Sequence, residues 1–125
     1  MVYKLFLLAL SGAVGTLARY TLAGAAQRTL GPDFPWGTMV VNVFGCLVAG
    51  FLWAVFENRL VVTGASRTAI LVGFMGSFTT FSTFILETGQ LLRGNQMVAA
   101  ALNLLTQNVV GLVFLFIGIA LGRML

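Results

Sequence analysis

The stretch that decides the fold is Gly73-Phe74-Met75-Gly76-Ser77-Phe78-Thr79-Thr80-Phe81-Ser82-Thr83-Phe84. Two glycines, two serines and three threonines interrupt a segment, residues 67–92, that is otherwise rich in apolar side chains. Irregular backbone at membrane depth is tolerated only where protein or a water-filled cavity satisfies the freed amides and carbonyls. The stretch therefore predicts a membrane span with a helix break at residues 76–79 and a second half-helix that begins near Thr80.

The rest of the chain has the composition of a membrane protein. Of its 125 residues, 59% are hydrophobic and only 8% are charged, whereas a soluble domain carries about 25% charged residues. Predominantly apolar segments of about 20 residues or more, the length that crosses the hydrocarbon core, lie at residues 3–26, 36–56, 67–92 and 97–121. We therefore expect an all-α membrane protein, a single domain over residues 1–125 with four transmembrane helices, the third broken near its middle.

The charged residues fit this picture better than they fit nucleic-acid binding. Seven basic residues give a net charge of +4, but they are scattered singly and form no patch of the kind that phosphate binding requires. Six of the basic residues flank the spans, four on one side of the membrane and two on the other, which predicts only a weak preference for one orientation. One side has Lys4, Arg59, Arg67 and Arg123, and the other has Arg28 and Arg93.

The reactive side chains are few. The chain has three acidic residues, no histidine and one cysteine, Cys46. An intrachain disulfide is therefore impossible, and the usual zinc sites lack their ligands. No nucleophile has an obvious partner base, so we do not expect an enzyme.

Two stripes of side chains follow the break at helical spacing. One holds Phe78, Phe81 and Phe84, and the neighbouring one holds Thr80, Thr83 and Glu87. The edge of a phenyl ring is the positive end of its quadrupole, and weak, multiple sites let an ion leave as well as bind, so the pattern favours a narrow anion conduit. The alternative is apolar filler with hydroxyls that bond to their own backbone, but so much polarity in one span is expensive.

Four further polar residues allow two interpretations each. Asn42 and Asn108 either line a pore or hydrogen-bond across a helix interface. Glu87 either belongs to the conduit or marks the membrane boundary of its helix. Arg19 is either a snorkelling anchor or a charge that draws anions into a vestibule.

Two motifs of this chain resemble the signatures of the Fluc (CrcB) fluoride channels. The first is Trp36-Gly37-Thr38 with Asn42 and Gly45, and the second is the run at 73–84 with Glu87. The similarity covers nearly the whole chain. The sequence departs from the family pattern at Ser77-Phe78, where glycine and leucine are more frequent, and in the fourth segment, where no tyrosine stands a turn before Asn108.

The resemblance implies an antiparallel, dual-topology homodimer in the cytoplasmic membrane of a prokaryote. Two separate pores would let fluoride flow out passively and so confer resistance to fluoride toxicity. A sodium ion would be buried at the centre of the dimer interface. The weak charge bias fits a chain that inserts both ways.

The resemblance also implies roles for individual residues. Pore-lining positions match Asn42, Phe81, Ser82, Thr83, Phe84 and Asn108. Positions at the vestibule and the pore end match Arg19, Thr38 and Glu87. The sodium ligands match the backbone carbonyls of Gly76 and Thr79, two from each subunit.

Two rival functions fit a short four-helix membrane protein. A small multidrug exporter requires an acidic residue in the first helix, where this chain has Arg19. A non-conducting subunit of a larger membrane complex would not require a polar span broken at glycine.

Overall fold

A computed structural model describes residues 1–58 and 62–125, and the regular elements of these residues are all helical. Arg59, one of the flanking basic residues, lies outside the described part. Within that part, five helices follow one another along the chain: α1 (Val2–Leu30), α2 (Trp36–Asn58), α3 (residues 64–78), α4 (Phe81–Arg93) and α5 (Met97–Arg123).

Among the described residues, four stretches are long and apolar enough to cross a membrane. They are Val2–Leu30, Trp36–Glu57, Gly64–Arg93 and Met97–Arg123. The third of them consists of α3 and α4 together. The expectation of four crossings, the third interrupted, is confirmed.

The first helix is longer than the sequence suggested because one side chain holds the turn that follows it. Instead of ending at residue 26, α1 runs on to Leu30 and ends at Gly31, whose φ is 104°. The Gln27 Nε2 donates to the carbonyls of Gly31 at 2.6 Å and Phe34 at 2.8 Å. Its Oε1 accepts from the Gly37 amide at 3.0 Å, so one carboxamide satisfies backbone groups at the end of α1 and the start of α2.

The break in the third crossing lies at Thr79 and Thr80, close to the predicted position. Both residues have extended backbone, with φ and ψ of −86° and 159° at Thr79 and −147° and 117° at Thr80. The Thr80 hydroxyl then accepts a hydrogen bond from the Thr83 amide at 3.3 Å and caps the new helix.

The same crossing contains a feature that the sequence did not predict. Within α3, residues Ala69–Phe74 form a π-helical turn before a last α-helical turn at Met75–Phe78. Such π turns inside helices are often found at functional sites.

Glycines allow the helices to pack backbone against backbone. A Cβ atom on Gly118 of α5 would overlap the Leu47 carbonyl of α2 and lie 2.9 Å from the Phe51 amide nitrogen. In the same way, a Cβ on Gly15 of α1 would overlap the Phe74 carbonyl of α3. Small residues at such contacts are the usual basis of helix association in lipid.

Replacing Gly118 by alanine should loosen the contact between α2 and α5. We expect Gly118→Ala to lower the free energy of unfolding in detergent by about 1–3 kcal/mol, the usual effect of overpacking. The control is Gly64→Ala at the first residue of α3, where the added Cβ would meet no atom of another described segment within 4 Å. Equal stability of the two variants would show that the close contact is not needed.

Candidate functional site

Two cavities meet at the break in the third crossing. The amide cavity, of about 320 Å³, is lined among others by Asn42, Phe81, Phe84, Gln107 and Asn108. The arginine cavity, of about 550 Å³, is lined among others by Arg19, Thr38, Thr83 and Glu87. Thr80 lines both cavities.

Asn42 of α2 holds the break in place. Its Oδ1 accepts a hydrogen bond from the Thr80 amide at 2.8 Å, and its Nδ2 donates to the Thr80 carbonyl at 2.9 Å. The same Nδ2 also donates to Gln107 Oε1 at 2.7 Å. Both hydrogens of the Asn42 amide nitrogen are thus directed at protein acceptors, and the side chain joins α2, the break and α5.

Because Asn42 binds the Thr80 amide, a carbonyl of α3 is left without its helical partner. In an unbroken helix the amide of residue 80 would donate to the carbonyl of residue 76, but this amide is bonded to Asn42. Gly76 is exposed, and no atom of another described segment lies within 4 Å of the place where its Cβ would be. The Gly76 carbonyl is therefore freed from its helical partner at an exposed residue, three positions before the extended backbone of Thr79.

The two predicted phenylalanines lie together beside the amide cavity. The rings of Phe81 and Phe84 are 5.9 Å apart between centroids at an interplanar angle of 62°, an edge-to-face arrangement. Phe84 is 5% exposed and Phe81 is 75% exposed. Phe78 lies apart from this pair, where its buried ring contacts the rings of Phe74 and Phe44.

The hydroxyl residues predicted between these rings occupy two different places. Thr83 lines the arginine cavity, and its hydroxyl accepts from that of Thr80 at 3.0 Å. Ser82 is exposed, and it is not among the residues that line either cavity.

The residues predicted at the vestibule and pore end line one cavity. The Thr38 hydroxyl donates to Glu87 Oε1 at 2.8 Å. Within the described part of the chain, Arg19 Nε and Glu87 Oε2 are buried and have no hydrogen-bond partner. Because buried polar atoms without partners are costly, both atoms are suited to a ligand or to water.

On α5, two residues for which the sequence predicted no role, Asn103 and Gln107, make the contacts to the site. Asn108 is exposed at the edge of the amide cavity, and its Nδ2 donates to the Leu104 carbonyl of its own helix at 2.7 Å. Gln107, one position earlier, bonds directly to Asn42. Its Nε2 donates to Asn103 Oδ1 at 2.9 Å. The four-residue spacing of Asn103 and Gln107 was the available signal, since it places two amides on one helix face.

A family model for CrcB-like proteins, described as Camphor Resistance (CrcB), matches residues 6–119. The chain belongs to the CrcB family. The resemblance seen in the two motifs is thereby confirmed for nearly the full length of the chain.

Several relatives in this family match from end to end. A protein of Desulforapulum autotrophicum is 54% identical over 125 residues, which is the full length of both chains. A protein of Nitrosococcus oceani is 49% identical over 122 residues, 98% of each chain. One of Solidesulfovibrio magneticus is 49% identical over 125 residues, again the full length of both. Each of the three is named a fluoride-specific ion channel, FluC.

Removing the Asn42 carboxamide should destabilise this CrcB-family protein. In Asn42→Leu the Thr80 amide and the Gln107 oxygen lose their partner, and we expect the free energy of unfolding to fall by about 2 kcal/mol or more. The control, Gln90→Leu, replaces an exposed carboxamide on α4 and should change stability by less than about 0.5 kcal/mol. If denaturation in detergent gives the same free energy of unfolding for both variants, the idea that Asn42 holds Thr80 in place is contradicted.

Proposed function

We propose that this protein is a fluoride-selective channel that lets fluoride flow passively out of a prokaryotic cell through the cytoplasmic membrane. Membership of the CrcB family supports the proposal, as do the names of relatives that are about half identical to this chain. The observation that carries it is the break at Thr79 and Thr80, which sets a pair of aromatic rings and several amides beside a cavity in a membrane span.

The chemistry of the two cavities suits a small, strongly hydrated anion. In the arginine cavity, Arg19 Nε has no hydrogen-bond partner within the described part of the chain, and the positive charge of Arg19 would attract anions. From there an anion can pass the hydroxyls of Thr80 and Thr83 and meet the edges of Phe81 and Phe84. Because neither ring carries a full charge, the ion is stabilised weakly enough to leave again.

Asn42 contributes to this path by shaping it. Its amide hydrogens are taken up by Thr80 and Gln107, so in this state it fixes the position of the break. Asn108 and the hydroxyls of the two threonines supply further polar groups along the path. Such groups replace the water that fluoride must shed, since an unpartnered ion in an apolar site is prohibitively unstable.

We infer that the working unit is an antiparallel, dual-topology homodimer. Phe81 and Ser82 are exposed on the single chain, and so is Gly76 with its freed carbonyl. Polar groups at membrane depth require contact with protein or with a lined cavity. A second copy of the chain, packed against these exposed residues, would provide that contact. The same contact would let the carbonyls of Gly76 and Thr79 from both copies hold one sodium ion, because hard oxygen ligands suit it.

Replacing both ring edges should stop conduction. We expect Phe81→Ile with Phe84→Ile to abolish fluoride efflux from liposomes, because isoleucine offers no positive edge, while the assembly of the protein is kept. The control is Phe6→Ile on α1, an exposed phenylalanine outside both cavities. The role of the rings is refuted if the double variant releases fluoride as fast as the control.

Dual topology predicts that one site is reached from both sides of the membrane. With Cys46 replaced by alanine, Gln96→Cys places a single thiol at the exposed turn before α5. An impermeant thiol reagent should label about half of the chains in intact cells and the rest after permeabilisation, because the charge bias is weak. Labelling of nearly all or nearly none of the chains in intact cells would contradict dual insertion.

A further inference from the structure

A chain of hydrogen bonds continues beyond Asn42 through three further residues, Gln107, Asn103 and Thr88. Gln107 accepts from Asn42 at 2.7 Å and donates to Asn103 Oδ1 at 2.9 Å. Asn103 Nδ2 donates to Thr88 Oγ1 at 2.9 Å, and the Thr88 hydroxyl donates to the Phe84 carbonyl at 2.8 Å. The chain therefore leaves the break at Thr80, crosses α2 and α5, and returns to α4.

The direction of every bond in this chain is fixed by its two ends. The Thr80 amide can only donate, so Asn42 must turn its oxygen to Thr80 and its nitrogen towards Gln107. The Phe84 carbonyl can only accept, so the Thr88 hydroxyl must donate to it and accept from Asn103. Gln107 meets both requirements, because its oxygen accepts from Asn42 and its nitrogen donates to Asn103. Each side chain in this series therefore has its hydrogen-bond partners.

The three residues are shielded from competing solvent. Asn103 is 0% exposed, Thr88 is 4% exposed and Gln107 is 9% exposed. A buried donor or acceptor that loses its partner keeps its full desolvation penalty. A break at any one link therefore disturbs the links on either side of it.

We propose that Gln107, Asn103 and Thr88 are positioning residues that fix the first turn of α4 against α2 and α5. The chain starts one residue before Phe81 and ends at the carbonyl of Phe84. It therefore spans the segment that carries both rings and holds their edges at the amide cavity. The expected effect on flux rests on the proposed fluoride function, whereas the effect on the backbone does not.

Thr88 offers the sharpest test because a matched threonine lies elsewhere. Thr88→Val keeps the shape of the side chain and leaves Asn103 Nδ2 without an acceptor, so we expect fluoride efflux to fall roughly tenfold. Thr88→Ser keeps the hydroxyl and should restore most of the flux. Thr29→Val removes the same type of bond, a 2.8 Å hydroxyl contact to the carbonyl four residues earlier, and should leave the flux unchanged.

Hydrogen exchange gives a readout that does not depend on conduction. In the wild-type protein the Thr80 amide should exchange as slowly as amides inside α5, although it lies outside any helix, because Asn42 holds it. In Thr88→Val its exchange should accelerate, although the substitution lies eight positions along the chain. The Thr29→Val variant should show wild-type exchange at Thr80.

A double-mutant cycle tests whether the residues act as one unit. Gln107→Met alone should reduce fluoride efflux about as much as Thr88→Val alone. In the double variant, the fold reduction in efflux should be smaller than the product of the two single fold reductions, because the effects of neighbours in one network are not additive. Independent, multiplicative effects contradict a connected chain.

The outcomes separate this inference from the proposed function. If wild-type protein passes no fluoride but Thr80 responds to Thr88→Val, the proposed function fails and the positioning role stands. If wild-type protein conducts and Thr88→Val matches Thr29→Val in both flux and exchange, the positioning role is overturned. Fast exchange at Thr80 in wild-type protein overturns it without any variant.

Discussion

The structure depends on one hydrogen bond, the one that the Thr80 amide donates to Asn42 Oδ1 in place of the carbonyl of Gly76. Inside a membrane each backbone group must find a partner in the protein or in a lined cavity. A helix can therefore be interrupted only where another group takes over the freed amide, and here a side chain does so. The Asn42 carboxamide matches the amide and carbonyl of Thr80 together, so one side chain makes the interruption stable.

The interruption determines what surrounds it. Thr80 becomes the cap of α4 and the residue shared by the two cavities. The new helix begins with Phe81, so the rings of Phe81 and Phe84 are set edge to face beside the amide cavity. On the other side, the arginine cavity contains Arg19 Nε and Glu87 Oε2, two buried polar atoms that have no partner among the described residues. In the proposed channel, the vestibule, the polar passage and the weakly stabilising aromatic pair would thus all depend on one break in the chain.

Much of this fold could be predicted from the sequence, because hydropathy and small polar residues report directly on spans and on where a span must break. The orientation of the fourth crossing was harder to predict. Gln107 and Asn108 are adjacent and both carry a carboxamide, so composition alone does not tell which of them faces α2. That choice depends on how α5 is rotated against α2, which the contact of Gly118 with Leu47 helps to set. The longer α1 likewise depends on the contacts of Gln27 with the turn that follows it.

The most direct measurement of the central claim is ion efflux from liposomes that contain the purified wild-type protein, followed with a fluoride electrode and, in parallel, a chloride electrode. A broken span that replaces the water of a small anion with weak protein contacts predicts rapid fluoride release, far above that of protein-free liposomes, and little chloride release. Fluoride release no faster than from protein-free liposomes, or equal release of both ions, would contradict it.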